Sequence, residues 1–357
     1  MTFSRKWAWV ARLVLLGLLP VGRAADMDDA AAAKPSVEKA GKTASRKSEF
    51  PAPKGLVDRE PTNAVAPGDF TIVALPDTQF YTSARHGGLP EMFVAQTEWI
   101  VSNRVSRHIV YVTLEGDISD DGSAVVTQWR NATNAMGRLE DPVRTGLPDG
   151  IPYGAVVGNH DTYGGGTEKY NQFFGTNHFV GHAYYGGHYS ADNDNHFDLF
   201  SAGGQDFIVL ALTMAAGEDE GLMRWANTVL KAHSDRRAIV VTHSLLNPAP
   251  WPTPAPWTKE GPAIFSALTN NPNVFLMLCG HRHGEGRRHE LVGDHAIDVV
   301  LADYQASPNG GDGFLRLMEF SPSNQTIRVK SYSPWTGQWS TDEDGYFTLA
   351  WPVRNRP

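Results

Sequence analysis

From Phe70 onward the chain alternates short, almost wholly apolar runs with longer stretches in which apolar residues recur at helical spacing. The runs 70–75, 108–114, 153–157, 238–242 and 274–279 are apolar at consecutive positions and too short for ordinary helices. That combination predicts strands buried on both faces. Between them, 90–107, 123–139, 217–232 and 262–268 carry amphipathic helical periodicity, and Pro90 suits a first helical turn. Gly203-Gly204, set between 196–200 and 206–212, predicts a hairpin turn. Stretches 296–301, 314–320, 327–333 and 346–351 read as further strands. Strand, loop and helix in repeated succession predict a layered α/β fold.

The polar positions add a second regularity. Asp77, Asp117, Asn159-His160, His243 and His281/His283 each follow one of the five apolar runs immediately. In layered α/β folds the C-terminal edge of the strands is where ligands bind. His281 and His283 are two apart, so on a backbone that stays extended both imidazoles face one spot while Arg282 turns away. Neutral imidazoles aimed together suit a metal ion better than a packed core. Five potential ligand groups at five strand ends therefore predict a metal site.

Other motifs lead elsewhere or nowhere. Asp117 to Gly122 imitates the start of a calcium loop, but Gln128 occupies the twelfth position and a strand precedes it. His289-Glu290 begins a zinc-protease helix motif, and Gly293 takes the second histidine's place. Asp120 and Asp121 read as solvated loop charges, and His178, His182, His188 and His196 as scattered loop residues. The Pro/Trp-rich segment 247–258 reads as a stiff surface loop, or through Trp251 and Trp257 as a wall of a substrate cleft.

Composition sets the outer limits. A chain of 357 residues with 41% hydrophobic content can build one large domain or two ordinary ones. Arg5, Lys6 and Arg12, the apolar stretch 13–19 and Gly22-Arg23-Ala24 make residues 1–25 read as a signal peptide, so a secreted or periplasmic product is expected. The apolar stretch falls well short of the roughly 20 residues a membrane span needs. Residues 26–66, rich in Ala, Lys, Pro, Ser and Glu, read as a disordered tether. Residues 67–357 then form one domain whose last part, 287–351, is mainly β. The formal charge of −8 becomes four units more negative once Arg5, Lys6, Arg12 and Arg23 are removed. So acidic a chain argues against nucleic acid as a bulk partner. Cys279 is the sole cysteine and cannot form an internal disulfide; a buried, inert thiol and a monomer are expected.

In their order along the chain, Asp77-Thr78-Gln79, Gly116-Asp117-Ile118-Ser119-Asp120, Gly158-Asn159-His160-Asp161, His243 and Gly280-His281-Arg282-His283 resemble the blocks of the calcineurin-like metallophosphoesterase superfamily. Those blocks run D-x-H, G-D-x-x-D, G-N-H-[DE], a lone His and G-H-x-H. The resemblance implies a four-layer α/β/β/α sandwich of two mixed β-sheets flanked by helices, holding two metal ions (Mn, Fe or Zn) that Asp117 bridges. It puts Asp77, Gln79, Asp117 and His283 around one ion, and Asp117, Asn159, His243 and His281 around the other. It also makes His160, paired with Asp161, the group that assists the leaving oxygen. The implied reaction is hydrolysis of a small-molecule phosphomono- or phosphodiester by in-line attack of hydroxide supplied at the ions.

One position departs from the pattern. Gln79 stands where the superfamily has histidine, and a carboxamide oxygen favours Mn²⁺ or Mg²⁺ over Zn²⁺. The alternative is that Gln79 hydrogen-bonds a water at that ion. A second functional reading follows from the same departure: a catalytically weak or inactive metal- or phosphate-binding protein on the same fold.

Overall fold

In a computed structural model, residues 52–61 and 65–353 are described. The expected signal peptide, and the expected tether as far as residue 51, lie outside them. Among the described residues the strands are β1 (Phe70–Leu75), β2 (Ile109–Leu114), β3 (Tyr153–Ala155), β4 (Tyr185–His188), β5 (His196–Ala202), β6 (Gln205–Leu212) and β7 (Arg237–Thr242). They continue with β8 (Val274–Cys279), β9 (Gly284–Val292), β10 (His295–Asp303), β11 (Leu315–Ser321), β12 (Thr326–Ser333), β13 (Gln338–Trp339) and β14 (Tyr346–Ala350). They form two sheets. One runs β13-β12-β11-β1-β2-β3 with β14 also on β12; the other runs β4-β5-β6-β7-β8-β10-β9.

Side-chain alternation assigns each strand face to a layer. Phe70, Ile72 and Ala74 of β1 point into the space between the sheets, while Val73 and Leu75 point at the helices outside. The outer face of the first sheet packs on the helices Pro90–Asn103 and Val126–Glu140 through Phe93, Ile100, Trp129 and Met136. The second sheet packs on Glu220–Ala232 and Gly261–Leu268 through Leu222, Ala226, Leu230 and Ile264. Between the sheets Phe70 stacks on Phe320 at 4.8 Å, and Phe207 and Trp351 close the cluster. Two mixed sheets with helices on both outer faces is the expected architecture, and it explains why the strands are apolar on both sides.

Connectivity positions the site. In the first sheet β1, β2 and β3 are parallel neighbours. In the second, β6, β7, β8 and β10 are parallel in that order. Two sets of carboxyl-terminal strand ends are thereby available for polar residues.

The sequence boundary at residue 67 comes too late. Val57 exchanges both main-chain hydrogen bonds with Trp339 of β13, at 2.9 and 2.8 Å. Glu60 forms ion pairs of 2.6 Å with both Arg107 and Lys330. Main-chain pairing on a free strand edge needs no apolar side chains, so composition concealed it.

Candidate metal centre

Asp77 follows β1, Asp117 follows β2 and Asn159 follows β3, all from the first sheet; His243 and His281 follow β7 and β8 of the second. Ligand-capable atoms of Asp117, His243 and His281 lie within 4.8 Å of one another. His243 Nε2 stands 3.2 Å from Asp117 Oδ2, and the His243 and His281 ring centroids are 4.8 Å apart. Both carboxylate oxygens of Asp77 accept the His281 main-chain N–H at 3.1 Å. Four of the five predicted strand ends are thus joined directly, and Asn159 sits in the same turn as His160, whose N–H donates to Asp117 Oδ1 at 2.9 Å.

Local backbone explains how short strand ends bring these groups so near. Asp77, Asp117 and His281 have φ of 46°, 48° and 70°, the left-handed region that non-glycine residues occupy at a cost. Each chain turns sharply as its strand ends. The glycines before Asn159 and His281 are required by close approach: a Cβ on Gly158 would collide with Asp117 Oδ1, and one on Gly280 with Asp77 Oδ2.

The extended presentation of His281 and His283 is not what forms. β8 stops at Cys279, the Arg282 N–H folds back to the Gly280 carbonyl at 2.9 Å, and β9 begins at Gly284. The chain must reverse to pair β9 antiparallel with β10, so a turn replaces the predicted extended pair. His281 joins Asp117 and His243, and burial pushes the Asp303 carboxyl up against the opposing pull of His283.

Charge in this cluster is unbalanced. Burial, then Asp303 and Asp117, push the Asp77 carboxyl well above its ordinary range. Burial would raise Asp117 too, but His243 and His160 pull it below its usual value. Burial, His243 and Arg282 push the His281 imidazole down to about 4, so it is neutral and its lone pair is available. Three buried lone-pair atoms, Gln79 Oε1, Asn159 Oδ1 and His243 Nε2, have no hydrogen-bond partner. The His243 Nδ1 position is taken by the Glu115 carbonyl at 2.8 Å, which fixes the ring with Nε2 toward Asp117. Facing carboxylates and unshared lone pairs are what a bound cation satisfies, so the residues fit a metal.

Gln79, Asp303 and Gln305 form a neighbouring network. Gln79 Nε2 donates to Asp117 Oδ2 at 3.3 Å and to Gln305 Oε1 at 2.5 Å. Gln305 Nε2 donates to Asp303 Oδ2 at 2.9 Å and to Asp77 Oδ1 at 3.4 Å. Gln79 therefore hydrogen-bonds through its nitrogen and keeps its oxygen open. Asp303 and Gln305 were absent from the sequence-derived set, although Asp303 carries the same signal as the others: an acid at the end of an apolar run.

His160 is present as expected, with a different partner. Its Nδ1 lies 3.0 Å from Asp120 Oδ1 and 2.9 Å from the Asp120 carbonyl. Asp161 instead accepts the main-chain N–H groups of Ser119 at 2.8 Å and Gly158 at 2.9 Å. Adjacent side chains on the tight turn His160–Thr162 diverge, so Asp161 braces the loops rather than the imidazole. Asp120 is buried and also paired with Arg85, which corrects its reading as a solvated charge.

The remaining candidates settle elsewhere. Trp251 stacks under the Arg287 guanidinium at 4.2 Å and Trp257 under Arg288 at 4.7 Å. His178 bonds Glu140 at 2.8 Å, whereas the half-exposed Tyr163 ring packs 4.7 Å from that of His160. Cys279 is buried and free, and burial pushes its thiol far up. No helix among the described residues is long and apolar enough to cross a membrane.

Comparison with known proteins agrees with this geometry. The family model for calcineurin-like phosphoesterases matches residues 70–285. An uncharacterized protein, YvnB, of Bacillus subtilis (strain 168) is 36% identical over 276 residues, 74% of this chain and 20% of its own length. The chain thus spans about a fifth of that curated relative. Among solved structures, a dimetal phosphatase from Danio rerio is 14% identical, with a TM-score of 0.51 over 79% of this chain and 99% of its own. GAP50, the anchor in the inner membrane complex of Plasmodium, is 13% identical, with a TM-score of 0.49 over 81% of this chain and 90% of its own. At this identity the Danio rerio structure speaks for the fold alone.

Proposed function

The chain belongs to the calcineurin-like phosphoesterase family, and from that premise we propose that it is a metal-dependent phosphoester hydrolase, exported and acting on small phosphomono- or phosphodiesters. The observation that carries this reading is the convergence of Asp117, His243 and His281 from three strand ends, with unshared lone pairs on His243 and Asn159. Asp77, Gln79, Asp117 and His283 would hold one ion, and Asp117, Asn159, His243 and His281 the other. Two such ions would supply hydroxide, since a bound metal lowers the pKa of water from about 15.7 to about 7, and would offset the ester's charge.

The protein's own groups do the rest. Asp117 turns one oxygen toward His243 and the other toward the His160 N–H, so it can serve both sides of the site. Asp120 fixes the His160 ring through Nδ1, which leaves Nε2 to pass a proton to the departing oxygen. Asp161 ties the Gly158 and Ser119 loops together and so keeps Asn159 in register with Asp117. Export rests on the basic start and apolar stretch of residues 1–25.

Metal analysis of the purified protein, with turnover of an aryl phosphate and of its diester, tests the reading. Metal-dependent release from either ester supports it and shows which class is preferred. A metal-loaded protein inert toward both would favour the binding-protein alternative. An intact amino terminus on protein recovered outside the cytoplasm would remove the signal-peptide proposal.

A further inference from the structure

A sixth strand end reaches the centre. β10 runs parallel to β8 with Leu301 opposite Cys279, so Asp303 lies as far beyond this pair as His281 does on the neighbouring strand. Asp303 is 2% exposed. Gln305 holds it from two sides, its main-chain N–H on Oδ1 and its Nε2 on Oδ2, both at 2.9 Å. The same Nε2 reaches Asp77 Oδ1, which brings two buried carboxylates to one amide nitrogen.

The orientation of both amides follows from this network. Turning Gln79 over would put its oxygen against Asp117 Oδ2 and force Gln305 over as well. The Gln305 carbonyl would then face two carboxylates, an arrangement with no donor. Gln79 is therefore held with its nitrogen inward and its oxygen buried without a donor. An ion pair built only for structure would set a cation of the chain against Asp303. The Arg316 guanidinium, which reaches the Leu301 carbonyl on the same strand, is already committed there and to Glu285, Ser331 and the Asp344 carbonyl. The second pointer to a guest is His243 Nε2, fully buried and facing only the Asp117 carboxylate, at 3.2 Å, while the Glu115 carbonyl occupies Nδ1.

Resting on the two-cation reading above, we propose that Asp303 is a further ligand of the first metal ion, adding a charged donor beside Gln79 where the family pattern has an imidazole, and that Gln305 is its positioning residue. Exchanging a neutral imidazole for a carboxylate adds one negative charge and a hard oxygen. The first site thereby takes Mn²⁺ or Mg²⁺ in preference to Zn²⁺.

Titration of the metal-depleted full chain with Mn²⁺, followed by calorimetry and by electron paramagnetic resonance, tests the assignment. The wild type should take up two ions whose spins couple. Asp303→Asn should bind one ion with unchanged affinity and the other at least about tenfold more weakly, and its spectrum should become that of isolated Mn²⁺. Gln305→Ala should weaken the same ion to a smaller degree. Two ions bound by Asp303→Asn with wild-type affinity and coupling would overturn the proposal. Should Asp303→Asn fail to fold, unchanged Mn²⁺ binding by Gln305→Ala would overturn it equally. A wild type that takes up no Mn²⁺ pair would instead sink the two-cation reading and this assignment with it.

Discussion

Adjacent residues at the end of β10 belong to two buried clusters of opposite character. Asp303 joins Asp77, Asp117, His243 and His281 at the strand ends, whereas Tyr304 turns to Glu285, Ser331 and Arg316. Around Arg316 opposite charges meet: the two terminal guanidinium nitrogens donate to Glu285, Ser331 and two main-chain carbonyls, with only Nε left unpartnered, and the Tyr304 hydroxyl meets Ser331 at 2.8 Å. At the strand ends carboxylates face one another and lone pairs stay open. The difference teaches how to tell a scaffold from a site. A buried network in which opposite charges meet holds the shape, and one in which carboxylates and lone pairs face one another is arranged for a guest.

Substitutions can break that contrast. The largest effect is expected for Asp77→Asn. Turnover should fall by roughly 10³-fold or more with loss of bound metal, because several kcal/mol of charge stabilisation disappear. The metal-free variant should nevertheless melt no lower than the wild type at neutral pH, since the fold disfavours that carboxylate's charge. A lower melting point without metal would put Asp77 among the scaffold groups. Next, Arg316→Met leaves Glu285 buried without its partner and should cost about 3–5 kcal/mol in urea unfolding. Metal content of the folded fraction should stay the same; an unchanged unfolding midpoint would erase the contrast.

His160→Ala should slow alkyl esters by about 10²-fold and aryl esters less, with metal retained. Equal losses for both ester types would take the acid role from His160. The smallest effect concerns an exposed cluster, where Arg144 and Arg138 hold the Glu98 carboxyl below its usual range. Its folded value is depressed, so its contribution is present at neutral pH and is lost as pH falls through and below the ordinary carboxylate range. Glu98→Gln should cost about 0.2–1 kcal/mol at pH 7 and nothing at pH 3, read by thermal melts.

What the chain's pattern disclosed, and what it concealed, follows from the physics of each element. Short apolar runs buried on two faces announce themselves, and the residue after each run is pinned to a sheet edge, so Asp77, Asp117, Asn159, His243 and His281 were legible. Asp303 was less plain, because the run 296–301 before it reads as a strand but is interrupted by Asp298, a second acid that competes for the role. The partner of His160 was hidden for another reason. Asp120 and Asp161 are both loop acids in sequence, and only the turn geometry decides which of them faces the ring. The turn at His281 depended on β9, a strand too polar to register as one.

The docking of residues 54–57 on β13 has a practical corollary. A chain shortened to begin at residue 67 would keep every catalytic group yet bare the outward amide and carbonyl of Trp339. An uncapped sheet margin of that kind recruits the same margin of another copy. Loss of residues 54–57 would therefore surface as self-association and poor solubility, well before any defect in hydrolysis.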